Sequence, residues 1–321
     1  MFQCLSLLTH DINGLGLNGL LSNGYQDIYM NLFNCTDLDK KSYSRNEIKK
    51  ALMSSSYGSV NEPMKIFKTE EALQKYYSVL EEQIPGIYKF MTYSINGLWN
   101  PQAHEYTYRL PDGFIVNAKV TEPRKETMSI NGKDYVVESE VNKPSKKGRI
   151  LSSCITHSVD GLMARELTYR CNYDEERIKY VTRLIFKEFS NDEVYDSEDN
   201  AAVAQMWNDY LDCGFLSVKI LNHINGSNIN LIDRDVIYEL IKQLPEKSFY
   251  VVPLHDEFAC RAENVNAMRE QYNHILRCVW NSNLLVHIIN QFHTVKLTMN
   301  PIDDNHRAIG DKIFNSTYTI H

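Results

Sequence analysis

The 321-residue chain is short of the residues that build covalent or metal frameworks. Its seven cysteines (Cys4, Cys35, Cys154, Cys171, Cys213, Cys260, Cys278) are odd in number, scattered and never spaced Cys-x-x-Cys. Neither a disulfide scaffold nor a zinc cage is therefore expected, and free thiols in a reducing cytoplasm are. No His-x-x-x-His pair occurs. No run of 18 apolar residues exists, and the apolar start Phe2 to Leu8 stops at Thr9-His10-Asp11 without a basic leader. A membrane span and a secretory signal are both excluded on that pattern, which predicts a soluble protein. Basic excess is missing too: 34 Lys and Arg against 41 Asp and Glu give a net charge of −7, so any contact with nucleic acid must be made by local patches. With 43% hydrophobic residues and no internal repeat, disorder, collagen and coiled coil are ruled out.

What is present reads as a mostly helical α+β chain with antiparallel β-hairpins. Ser44 with Glu47 three residues on is a capping box, opening a helix of about three turns that closes at Tyr57-Gly58. Thr69 to about Leu98 is helical with a break near Pro85-Gly86. Asp112-Gly113 and Asn131-Gly132 each mark the turn of a hairpin. Residues 141–149 read as a basic linker or loop tip, and Asp160-Gly161 as a turn after which helix resumes near Leu162. Residues 171–247 look like a helical block with polar loops. Phe249 to Leu254 reads as a short buried strand running into His255-Asp256, and helical spacing returns from Glu263 to about Phe292.

Chemistry concentrates in three places. Arg45, Lys49, Met53 and Tyr57 are spaced by four, which keeps them on one helical face with a drift of about 40° per step. Two cations in the first two turns oppose the positive end of the helix dipole, a conflict that a bound polyphosphate would resolve. Arg45 in fork geometry and Lys49 as a point charge suit a nucleoside triphosphate; a solvated basic face, with Lys50 beside it, fits the spacing equally well. His255-Asp256 at the end of an apolar strand could hold Mg²⁺ if a second carboxylate stood opposite, but an isolated Asp there is usually a turn former. His157-Ser158-Val159-Asp160-Gly161 could present His157 to a ribose or base edge, or be a loop with a structural Asp.

Taken in order, these pieces resemble the single-subunit phage and mitochondrial DNA-directed RNA polymerases. The fingers pattern Arg-x3-Lys-x3-Met-x3-Tyr-Gly-Ser of that family is met by Arg45, Lys49, Met53, Tyr57, Gly58 and Ser59. Gln26-Asp27-Ile28-Tyr29 resembles the segment after its first metal motif, Pro111-Asp112-Gly113-Phe114 and His157-Ser158-x-Asp160-Gly161 both match, and His255-Asp256 is similar to the second metal motif.

The resemblance implies a right-hand polymerase fold, fingers plus an incomplete palm, using two Mg²⁺ ions. It implies a palm remnant over 1–24, fingers over 25–155 with a nucleotide-binding helix 45–57, C-terminal palm over 156–170 and 248–321, and an inserted helical module over 171–247. Asp256 would bind metal and, with Lys49 and Tyr57, carry the catalysis. Arg45 and Lys49 would hold the NTP phosphates, Tyr57 and Gly58 would lie at base and sugar, His157 would approach the nascent pair, and His255 would support the metal hairpin. DNA template, RNA product and NTPs are the implied partners, with no membrane. The family's first metal-binding Asp falls before Met1, so an N-terminal polymerase subunit supplying thumb, N-terminal palm and that Asp is expected, as in split phage enzymes. Glu257 after Asp256 is instead the form found in family-A DNA polymerases, which makes such a fragment the alternative, together with a catalytically incomplete nucleic-acid-binding subunit. Met53, where those enzymes place an aromatic residue, favours the RNA polymerases.

Overall fold

The computed structural model describes residues 1–21, 24–144, 150–186, 197–254, 257–317 and 319. The chain begins with α1 (Phe2–Leu8), α2 (Ile12–Leu17), α3 (Ile28–Asn34), α4 (Arg45–Ser56), α5 (Asn61–Phe67), α6 (Glu70–Gln83) and α7 (Pro85–Asn96). Side chains set most of these starts: Asp11, Asp27, Ser44 and Thr69 each accept a backbone N–H from the first turn that follows. Each satisfies a donor that a helix start leaves open. Asp11 does more, because its Oδ2 also accepts from Gly86 N at 2.8 Å and Ile87 N at 3.2 Å, fastening the α1–α2 corner to the start of α7. The expected break at Pro85 is there, with Pro85 at the first position of α7, where a missing N–H costs nothing. The apolar start is helical, and all of α1 except Gln3 is buried.

Two hairpins follow at the marked turns. Strands β1 (Glu105–Arg109) and β2 (Ile115–Lys119) pair antiparallel around Gly113 at φ +80°, and β3 (Thr121–Ile130) and β4 (Lys133–Pro144) pair around Asn131 and Gly132, both at positive φ. Two consecutive left-handed residues match the right-handed strand twist, which is why Asn-Gly suits this position. The supposed basic linker is corrected in part: residues 141–144 belong to β4, and 145–149 lie outside the described residues.

A second correction concerns Asp160-Gly161, which forms no turn. Helix α8 (Ile150–Cys171) runs straight through it. Gly in a helix interior costs about 1 kcal/mol against Ala. Along α8 that cost is outweighed by Leu151, Ile155, Val159, Leu162, Met163 and Leu167, each 3% exposed or less and recurring at helical spacing.

Helices α9 (Glu175–Ile185), α10 (Ser197–Cys213) and α11 (Arg234–Lys242) then close around a core of their own, with Val181, Val203, Ile220, Ile224 and Ile237 at its centre. Much of the acidic stretch from Ser190 falls outside the described residues. The chain returns to the main core through β5 (Val252–Leu254) and β6 (Glu257–Ala259), and ends in α12 (Val265–Trp280), α13 (Leu284–Phe292) and α14 (Asp304–Phe314). Here a third expectation fails. Val251 is buried, but Tyr250, Val252 and Leu254 form an exposed row, because among the described residues β5 pairs only with β6 and nothing covers that face. Among the described residues the β-structure thus consists of three two-stranded antiparallel sheets in a mostly helical α+β fold, and no helix is long and apolar enough to cross a membrane.

The two cores are joined by charge taken out of water. Glu166 and Arg170, one turn apart on α8, pair at 3.2 Å and are each 1% exposed. Glu166 also accepts from Ser217 Oγ at 2.6 Å and Val218 N at 3.0 Å, while Arg170 Nη1 donates to Gln271 on α12 at 3.2 Å. Arg170→Met should cost about 3–5 kcal/mol in urea unfolding, because it strands the Glu166 carboxylate; a change below about 1 kcal/mol would show the pair to be dispensable.

Acid should loosen the same region. Burial, reinforced by Arg170 and Arg277, holds the His274 pKa down at about 3, and burial with His306 holds His10 near 4. Arg277 Nη2 donates to His274 Nδ1 at 3.0 Å, a bond that only the neutral ring accepts. A base depressed in the folded state favours folding fully above its unfolded pKa of about 6.5 and loses that contribution as pH falls below it. Unfolding midpoints should therefore drop progressively from about pH 6.5 down to the folded values of about 4 and 3, and His274→Gln should flatten the slope. An unchanged slope in the variant would count against a neutral buried His274.

Candidate functional site

Helix α4 is bounded at both ends by its own sequence. Ser44 Oγ accepts from Glu47 N and Glu47 Oε2 accepts from Ser44 N at 2.8 Å, completing the capping box. At the other end Tyr57 is the cap residue and Gly58 takes φ +75°. Gly58 N donates to Ser55 O and Ser59 N to Ser54 O, both at 2.8 Å, the paired closure of a Schellman motif. Tyr57-Gly58-Ser59 thus has a backbone reason as well as a motif.

Between these ends the cations share one aromatic neighbour. The Arg45 guanidinium lies 5.6 Å and Lys49 Nζ 5.9 Å from the ring centre of Tyr29 on α3, as the common-face expectation requires. The electrostatic conflict at the helix start is answered inside the chain. Arg45 Nε donates to Asp27 Oδ2 at 2.5 Å and Nη2 to Tyr25 Oη at 3.4 Å, and the Asp27 carboxylate raises the Arg45 pKa. Lys49 has no carboxylate partner among the described residues. Met53 packs against the main core.

The end of α4 meets α8. Ser152 Oγ donates to Ser56 O at 3.1 Å, and the Tyr57 and His157 rings stack with centroids 5.3 Å apart and 29° between planes. Burial and then the nearby Asp160 carboxylate push the Tyr57 phenol pKa up, and the same two causes push up the Cys4 thiol. Ser158 turns away from this surface, accepting from Tyr108 Oη at 3.0 Å. Tyr57, His157 and Asp160 are therefore brought together where α8 meets the C-terminal end of α4, the helix that also carries Arg45 and Lys49.

Other expected residues are placed differently. Asp112 of the Pro-Asp-Gly-Phe segment is buried; it accepts from Arg165 Nε at 2.5 Å and Phe114 N at 3.2 Å, and Lys219 Nζ reaches its carbonyl. It locks the β1–β2 hairpin to α8. His255 and Asp256 lie outside the described residues. Among the described residues no group of three His, Cys, Asp or Glu could hold a metal ion. A cavity of about 470 Å³ between the α1–α2 corner, α7 and α13 includes none of the described candidate residues; of these Arg45, Lys49 and His157 are exposed, Tyr57 is half-buried and Gly58 is buried. Asp27 and Tyr29 belong to the Gln26-Asp27-Ile28-Tyr29 motif without a role of their own there; the one local signal for Asp27 is its place as a cap before Ile28.

No family model matches the chain, and no curated protein matches it in sequence.

Gly58→Ala should cost about 1 kcal/mol by forcing a side chain into the left-handed region. Equal stability in thermal unfolding would show that the α4 closure tolerates another backbone path.

Proposed function

We propose that the chain forms the fingers and C-terminal palm portion of a single-subunit-type DNA-directed RNA polymerase, transferring nucleotides from NTPs to an RNA 3′ end on a DNA template. The observation that carries this is the stacking of Tyr57 on His157: two residues of separate motifs, far apart in sequence, meet beside the helix that presents Arg45 and Lys49. In this role Lys49 and Arg45 hold the triphosphate, and Lys49 delivers a proton to the departing pyrophosphate. Tyr57 and His157 present a flat, polar-edged surface to the incoming sugar and base, with the Tyr57 hydroxyl selecting ribose. The described residues do not by themselves fit the Mg²⁺ pair of such enzymes, so no step is assigned to metal. Two-metal transfer would need Asp256 and at least one more carboxylate, which a partner polypeptide would bring together with thumb and N-terminal palm.

Extension of a labelled primer on a DNA template with Mg²⁺ tests this. The chain supplemented with such a partner should use rNTPs in preference to dNTPs, whereas the 321-residue chain alone should be inactive. Lys49→Ala should lower the rate by about 10²-fold or more, and Tyr57→Phe should keep the rate but accept dNTPs more readily. Preference for dNTPs in the unmodified protein would favour the DNA polymerase alternative, and robust synthesis by the chain alone would remove the need for a partner.

A further inference from the structure

We propose that Asp27 is a resident counter-anion for Arg45, exchanged for phosphate when a triphosphate binds, so that this carboxylate sets the affinity of the site; this rests on the polymerase reading above. Its two oxygens have separate tasks. Oδ1 accepts from Tyr29 N at 3.1 Å and Met30 N at 3.4 Å, which fixes the carboxylate to the start of α3. Oδ2 takes Arg45 Nε at 2.5 Å. Because the cap holds Asp27 in place, Arg45 is drawn alongside Tyr29 and kept there without a substrate.

The guanidinium has five donors, and among the described residues Asp27 and Tyr25 engage only two of them. The rest remain open to a second anion. Lys49, over the same ring, has no carboxylate of its own among the described residues, so the two cations differ: one is neutralised in advance and the other is not. An arriving triphosphate pairs first with Lys49 and then competes with Asp27 for Arg45. Arg45 is 46% exposed, and an ion pair in that setting is worth little, so the exchange is easily reversed. Asp27 thus positions Arg45 for phosphate and, by its own charge, weakens the phosphate's hold.

The test is titration calorimetry of the full chain with GTP and with inorganic tripolyphosphate at fixed ionic strength. Asp27→Asn keeps a capping oxygen and removes the charge. It should bind both ligands more tightly by up to about fivefold, the upper end of what an exposed ion pair is worth, and the gain should vanish in an Arg45→Met background. Asp27→Ser, which also caps, should behave like the Asn variant, and helix content by circular dichroism checks that α3 persists. If both variants bind no more tightly while Lys49→Ala still weakens binding, Asp27 is a helix cap only; the proposal falls and the polymerase reading stands. If the unmodified chain binds neither ligand, both fall.

Discussion

Two opposite charges one turn apart on α8, Glu166 and Arg170, are almost wholly removed from water, and the join between the two cores depends on how they are satisfied. Desolvating such a pair is costly, and their mutual attraction offsets it only when the remaining donors and acceptors find partners. Burial accordingly pushes the Glu166 pKa up, with Arg170 and the Ser217 and Val218 donors acting against it. Those donors come from the segment between α10 and α11, while Arg170 is held from α12 by Gln271. One ionic knot therefore ties three parts of the chain, and moving the 217–218 segment or α12 would leave the buried pair short of a hydrogen-bond partner.

A similar demand governs the start of α4, but at the surface and with a different solution. Arg45 and Lys49 stand where the helix dipole disfavours cations. Glu47 in the capping box and Asp27 from the neighbouring helix return negative charge to that end. The arrangement removes any need for a bound anion to explain why Arg45 is tolerated. What it leaves unanswered electrostatically is Lys49, and that residual positive charge is the feature of the surface most open to a phosphate.

Much of this could be read along the chain wherever the cause is local. Ser44 with Glu47, Tyr57-Gly58, Pro85, Asp112-Gly113 and Asn131-Gly132 each encode a cap or turn within four residues, and each element ends or turns there. Where the cause is tertiary, local signals mislead. Asp160-Gly161 is turn chemistry overruled by the burial of α8 on both sides of it. The strand before His255 is apolar enough to be buried, yet alternation cannot say that a second layer is present to cover it. The Asp27–Arg45 pair and the Tyr57–His157 stack join distant segments, which spacing does not reveal; all four residues fall in motifs, yet no motif says that Asp27 pairs with Arg45.

The unbroken course of α8 also has a mechanical meaning. His157 and Arg170 sit on one rod, about 20 Å apart at 1.5 Å per residue. A tilt of about 3° at the Arg170 end would displace the imidazole by about 1 Å, roughly a fifth of the 5.3 Å between the stacked ring centres. Had Asp160-Gly161 been a turn, that strain would have been absorbed between them. Continuous, α8 carries on one stiff element both the ion pair shared with the α9–α11 core and the ring that stacks on Tyr57.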